Sequence, residues 1–203
     1  MAVEKKVLTA PVKTFVISKE AAKDFEGLKD FRCGDLAKET NPAIREAIQE
    51  VHDIAARLYS GEAFEQRVVI LEEKAGANPG DGVLVGLCGV RHLQLFQTVL
   101  GPLGMPEGGY INVLGTHERY RGYKIKKNRA TTPGSRLLSD ALVQLKKEFG
   151  GGPLPYVWAA VRAGNEPSLA AFRKHHFRRP PAQYPGGTVL RQGEAGGTQV
   201  MLG

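Results

Sequence analysis

The chain's 203 residues, 42% hydrophobic and 24% charged, suffice for one ordinary α/β core and not for two independent ones. No apolar run approaches the roughly 18 residues of a membrane span, the opening MAVEKKVLTAPVK lacks the apolar stretch of a secretory signal, and Cys33 and Cys88 have neither metal nor redox spacing. These features predict a cytoplasmic protein with two reduced thiols, no bound metal and no membrane partner. A net charge of +7, from 28 Lys and Arg against 21 Asp and Glu, calls for an anionic partner, either nucleic acid or a phosphate-rich cofactor.

Taken in order, the elements begin with a short strand at Thr14 to Ser18, whose serine can cap a helix over Lys19 to Leu28. Asn41 and Pro42 then suit the cap and first position of a longer helix. Ile44, Ile48, Val51, Ile54, Ala55 and Leu58 share its apolar face, and Gly61 stops it. Val68 to Leu71 and Val83 to Leu95 read as strands of an antiparallel hairpin across the turn residues NPGDG. Tyr110 to Leu114 is a third strand. A helix follows from Gly134 to Phe149, with Leu138, Ala141, Leu142, Leu145 and Phe149 on one face and three glycines after it. Tyr156 to Val161, holding Trp158, reads as a buried strand, and Asn165 caps a last helix ending near His175. Two short strands, Thr188 to Leu190 and Thr198 to Leu202, would form a terminal hairpin. This order suits one mixed α/β (α+β) domain over residues 1–203, with helices on both faces of the sheet.

The segment Tyr110 to Leu138, YINVLGTHERYRGYKIKKNRATTPGSRLL, carries the chemistry. A strand runs through Arg121 and Gly122 to a helix opening at Gly134 and Ser135. Helix-opening amides lack intrahelical acceptors and sit at the positive end of the helix dipole, so they suit a phosphate. Glycine there lets phosphate oxygens approach the backbone. Taken alone this is a moderate signal, because many glycine-preceded helices bind nothing.

The stretch THERYRG is similar to the cofactor motif of the GNAT superfamily of acyl-CoA-dependent N-acetyltransferases, with Thr116 at the motif's valine, Arg121 at its arginine and Gly122 at the following glycine. Gly134, followed by SRLL, fits the last glycine of the family's loop. A second segment, NEPSLAAFRKHHF from Asn165 to Phe177, resembles the family's later asparagine-to-phenylalanine pattern, and the two lie in register across about residues 67–177. The resemblance implies a mostly antiparallel sheet with a strand bulge near Leu114 and Gly115 that opens a V-shaped cleft. It further implies acetyl-CoA held by Leu114, Gly115, Thr116, Arg121, Gly122, Gly134, Ser135, Arg136, Asn165, Ser168 and Phe172, and an amine that attacks the thioester directly.

The chain departs from the family pattern at three places. An insertion, Tyr123 to Pro133, brings Lys124, Lys126, Lys127 and Arg129, which could meet the cofactor's phosphates, an anionic acceptor such as tRNA, or only solvent. Phe172 stands where relatives hold a proton-donating tyrosine, and Asn112 where many hold a glutamate base. His92 and His117 are weak candidates for a base; His175 and His176 are adjacent and face apart, and Glu72 and Glu73 read as solvated strand-edge residues. The reading expected is an acetyltransferase acting on an unspecified amine, with homodimer assembly left open. Its rivals are a CoA-binding module with weakened catalysis and an RNA-binding protein using residues 123–129.

Overall fold

The structure is a computed structural model that describes residues 6–62, 67–93, 108–125, 131–148, 151, 157–178 and 198–202. The β-branched runs form the strands β1 (Val12–Ser18), β2 (Arg67–Glu73), β3 (Val83–Leu93), β4 (Gly108–Thr116), β5 (Val157–Arg162) and β6 (Thr198–Leu202). They lie side by side in sequence order as a six-stranded sheet. Every neighbouring pair is antiparallel except β4 with β5, which is parallel. A parallel pair needs a crossover. The helix α4 (Pro133–Glu148) supplies it.

Because helices cover both faces, the central strands are apolar on both sides. Val68 and Ile70 of β2 join one core cluster, and Val69 and Leu71 the other. The first cluster is closed by the short helices α1 (Lys19–Ala22) and α2 (Glu26–Lys29) and by α3 (Pro42–Ser60). The second is closed by α4 and α5 (Glu166–Lys174). Leu137, Leu138, Ala141 and Leu145 of α4 are fully buried there, each leucine contributing about 1.5–3 kcal/mol by leaving water. Gly109 lets α4 lie close, since a Cβ there would sit 2.8 Å from both Leu145 methyl carbons.

Caps fix the long helices where the sequence predicts them. Asn41 Oδ1 accepts from the amides of Ala43 and Ile44 at 2.9 and 3.3 Å, and Gly61 ends α3 in the left-handed region at φ 79°. The segment Lys19 to Leu28 is a correction. Ser18 caps it as expected, at 3.2 Å from the Ala21 amide, but it forms two separate turns. Asp24 adopts φ 60° between them and its amide donates to the Tyr59 carbonyl of α3 at 3.0 Å. That bond to α3 overrides the local helical pattern. The expected strand at Thr188 to Leu190 and the phenylalanine of the long helix, Phe149, lie outside the described residues, as do Leu95 and residues 126–130 of the insertion.

Glu72 and Glu73 also differ from the solvated edge expected of them. Glu72 is wholly buried, and its carboxylate accepts from the amides of Gly80 and Gly82 at 2.8 and 3.3 Å, pinning the β2–β3 turn. Glu73 accepts the Tyr120 hydroxyl at 2.9 Å. The turn folds back over the strand end, which a strand pattern alone does not show.

Candidate active-site cleft

The cleft originates in β4. Its ladder with β3 steps from Gly89↔Val113 to Val90↔Ile111, so Asn112 is the extra residue of a bulge. The inversion of faces confirms it. Ile111 and Val113 are two apart yet enter opposite core clusters, whereas regular strand residues two apart share a face. The bulge therefore falls at Asn112 and not at Leu114 and Gly115, which keep regular partners in Cys88 and Leu87. The glycine at position 89 offers no side chain to resist the extra residue. Parallel pairing of β4 with β5 ends at Ile111↔Ala159, beside the bulge, and beyond it the two strands part.

Against the part of β4 beyond that pairing lies a cleft of about 450 Å³. One wall is the α3 face of Ile44, Ala47, Ile48 and Val51, and the floor is Leu114, Gly115 and Thr116. Its far end is formed by Tyr120, Arg121, Gly122 and the α4 start at Thr132, Pro133 and Gly134; Asn165, Pro167, Ser168 and Ala171 form the other wall. The α3 wall and the β5–α5 turn are tied together by Asn41 Nδ2, which donates to the Gly164 carbonyl at 3.2 Å. A smaller notch of about 60 Å³ adjoins it at the parting point, lined by Asn112, Phe172, Glu50 and Arg162 among others.

Eight of the eleven residues expected at the cofactor line the main cleft: Leu114, Gly115, Thr116, Arg121, Gly122, Gly134, Asn165 and Ser168. Phe172 lines the notch, its ring edge-on to Phe177 at 5.0 Å. Ser135 and Arg136 line neither. The Ser135 hydroxyl lies 2.8 Å from His175 Nε2, and Arg136 pairs with Asp140 at 2.6 Å.

The helix start is also narrower than the sequence suggests. Pro133 has no N–H, and the Ser135 N–H donates to Thr132 Oγ1 at 3.3 Å. The Arg136 N–H already closes the first helical turn on the Thr132 carbonyl. That leaves Gly134 as the first-turn amide not engaged by the helix's own cap. A Cβ at Gly134 would meet only Thr116 Oγ1, at 3.4 Å, and one at Gly122, where φ is 77°, would meet nothing.

Sequence reasoning passed over Cys33, Glu39, Tyr120 and Thr132 on the lining, although Tyr120 lies inside the motif itself. Burial pushes the Cys33 thiol up to about 11 against the opposing pull of the Arg121 charge, so it is a protonated wall and not a nucleophile. Burial, then the bond to Glu73, pushes the Tyr120 hydroxyl up to about 12. His117 caps a 3₁₀ turn (Glu118–Tyr120), its Nδ1 accepting from the Arg119 amide at 3.3 Å, and it does not line the cleft. His92 lies in β3 opposite Gly109. Among the described residues no group of three or more His, Cys, Asp or Glu side chains could hold a metal, and no helix is long and apolar enough to cross a membrane.

No family model matches the sequence, and no curated protein matches it either. Solved structures do. A chain of the NatC complex bound to Gag peptide and CoA is 12% identical, with 94% of this chain and 96% of that one covered at a TM-score of 0.53. AtaTR bound with AcCoA is 10% identical over 95% and 92% of the two chains, also at 0.53. A bacterial toxin is 16% identical over 95% and 91%, at the same score. With these likenesses, the sheet order and the bulged, parting β4–β5 pair identify the fold of this chain as that of the GNAT superfamily.

Proposed function

We propose that the chain is an acetyl-CoA-dependent N-acetyltransferase in which an amine attacks the thioester directly in a ternary complex. The observation that carries this reading is the parting of β4 and β5 beyond Ile111↔Ala159, with a cleft lying against β4 there that reaches the start of α4. A strand freed from its neighbour has backbone donors and acceptors to offer an extended, amide-bearing arm. The segment Leu114 to Thr116 is the place for the pantetheine arm. Arg121, Gly122 and Gly134 suit the pyrophosphate: Arg121 brings a permanent cation, and the two glycines leave the space that side chains would fill. Bound there, acetyl-CoA supplies an activated acetyl group with a good leaving group.

The protein's part is positioning, which can supply more of the rate than proton transfer does. The thiol at Cys33, held protonated, supports direct transfer over an acyl-enzyme. The NatC complex, one chain of which shares this fold, is bound to Gag peptide and CoA, which supports testing peptide amines among the acceptors. The buried free thiols Cys33 and Cys88 fit a reducing cytoplasm, and we read residues 1–203 as one domain, which a single cooperative unfolding transition would test.

The deciding experiment is isothermal titration with acetyl-CoA followed by thiol release across amine classes. Binding and amine-dependent release are expected. Absence of heat at millimolar acetyl-CoA would remove the reading, and binding without release on any amine would leave a CoA-binding module instead.

A further inference from the structure

The family's positions for a base and an acid hold Asn112 and Phe172, and both residues line the notch, where the amide cannot take up a proton and the phenyl ring has none to give. The notch has one carboxylate among the described residues. Glu50 borders the notch one helical turn on from Ala47, which lines both the cleft and the notch. It is held from across the split: Arg162, at the end of β5, places Nη2 3.8 Å from Glu50 Oε2 and Nη1 2.9 Å from Glu46 Oε2. The tighter bond thus goes to Glu46, which is outside the notch, and Glu50 keeps most of its lone pairs for another donor. Glu39, the carboxylate of the outer cleft, is committed to the Asn41 amide at 2.9 Å.

We propose that Glu50 is the carboxylate that receives the acceptor amine and takes its proton, with Arg162 as its positioning residue. This rests on the acetyltransferase reading above. The amine nitrogen attacks the thioester carbonyl and forms the C–N bond. Collapse of the adduct breaks the C–S bond and leaves the electron pair on sulfur. The surplus N–H proton passes to the Glu50 carboxylate, and the thiolate takes a proton from water.

The test compares Glu50→Gln, Glu50→Asp and Glu46→Gln with the wild type. Titration with acetyl-CoA runs beside thiol release on three probes: a peptide with a free α-amine, an N-blocked peptide with one lysine, and spermidine. Glu50 is half-exposed, so Glu50→Gln should fold with an unchanged melting temperature. Its kcat/KM on the best probe should fall by about 10²–10³-fold, within the span of general base catalysis, while its acetyl-CoA affinity matches the wild type. Glu50→Asp should recover a large part of the rate, and Glu46→Gln should cost little. The proposal is overturned if Glu50→Gln keeps wild-type turnover, if Glu46→Gln is as damaging, or if the wild type binds acetyl-CoA but acetylates none of the probes. Failure of the wild type to bind acetyl-CoA at all would instead bring down the acetyltransferase reading beneath it.

Discussion

Replacing Gly134 by leucine separates folding from cofactor binding. The residue is in the first turn of α4, where a Cβ makes only an ordinary contact, 3.4 Å from Thr116 Oγ1. Leucine is a better helix former than glycine by about 0.5–1 kcal/mol. At about 2–4 °C per kcal/mol for a chain of this size, the melting temperature should hold or rise slightly. The rest of the side chain has to enter the cleft that Gly134 lines, over the first-turn amide that α4's own cap leaves open. A hydrogen bond to a charged group is worth about 1.5–3 kcal/mol. Losing one phosphate contact therefore weakens acetyl-CoA binding by about 10- to 100-fold. Isothermal titration reads the affinity and thermal unfolding the fold. Gly134→Ala, which adds only the tolerated Cβ, should lose far less. A folded Gly134→Leu protein that binds acetyl-CoA as tightly as the wild type would show that no phosphate rests at this helix start.

Thr132→Val removes the hydroxyl that caps the Ser135 amide, so it should cost about 1 kcal/mol in thermal stability; acetyl-CoA affinity should be kept or improved, because another amide is released, and a collapse of affinity would mean the hydroxyl itself meets the ligand. Glu72→Ala strips the acceptor from the amides of Gly80 and Gly82 and should destabilise by about 1–3 kcal/mol in denaturant unfolding, with Glu72→Gln intermediate; an unchanged midpoint would mean water replaces the carboxylate fully. His52, His117 and His175 all have pKa values held below the ordinary 6.5, foremost by burial, which disfavours the cation. Such a native state holds fewer protons than the unfolded chain below pH 6.5, so the melting temperature should fall as the pH drops through that value and downward, and be insensitive to these groups above it. His175→Ala should flatten that slope, and a wild-type melting temperature constant from pH 7.5 to 5 would refute the assignment.

The parts of this architecture legible in the sequence are those whose signals are local. Asn41, Pro42 and Gly61 announce α3 because a cap needs only neighbouring amides, and Asn165 announces α5 for the same reason, its Oδ1 accepting from the Ser168 amide at 3.3 Å. The β2–β3 hairpin follows from two apolar runs around a turn. What could not be read is set by contacts between segments far apart in the chain. The break at Asp24 answers to Tyr59, and the 3₁₀ turn at Glu118 is fastened by its amide to the Arg32 carbonyl at 2.8 Å. A bulge is a property of two strands, so Asn112 carries no mark of its own; only the register with β3 reveals it. The same holds for the site. Gly134 and Arg121 sit in a motif, whereas Ser135 looks identical in role until its hydroxyl is found on His175, 40 residues later.

Glu50 is the sharpest case. In the sequence it is one of several acids on the polar side of an amphipathic helix, the ordinary place for a solvated charge. Its candidacy depends on three independent placements: α3 laid along the split, Arg162 ending β5 opposite it, and a bulge that parts the strands where Asn112 and Phe172 line the notch. None is encoded near residue 50. A chain that lacks acid and base at the positions its motifs designate can still carry proton transfer, because the sheet's opening determines which side chains meet the reacting atoms, and a helix crossing that opening can supply what the strands do not.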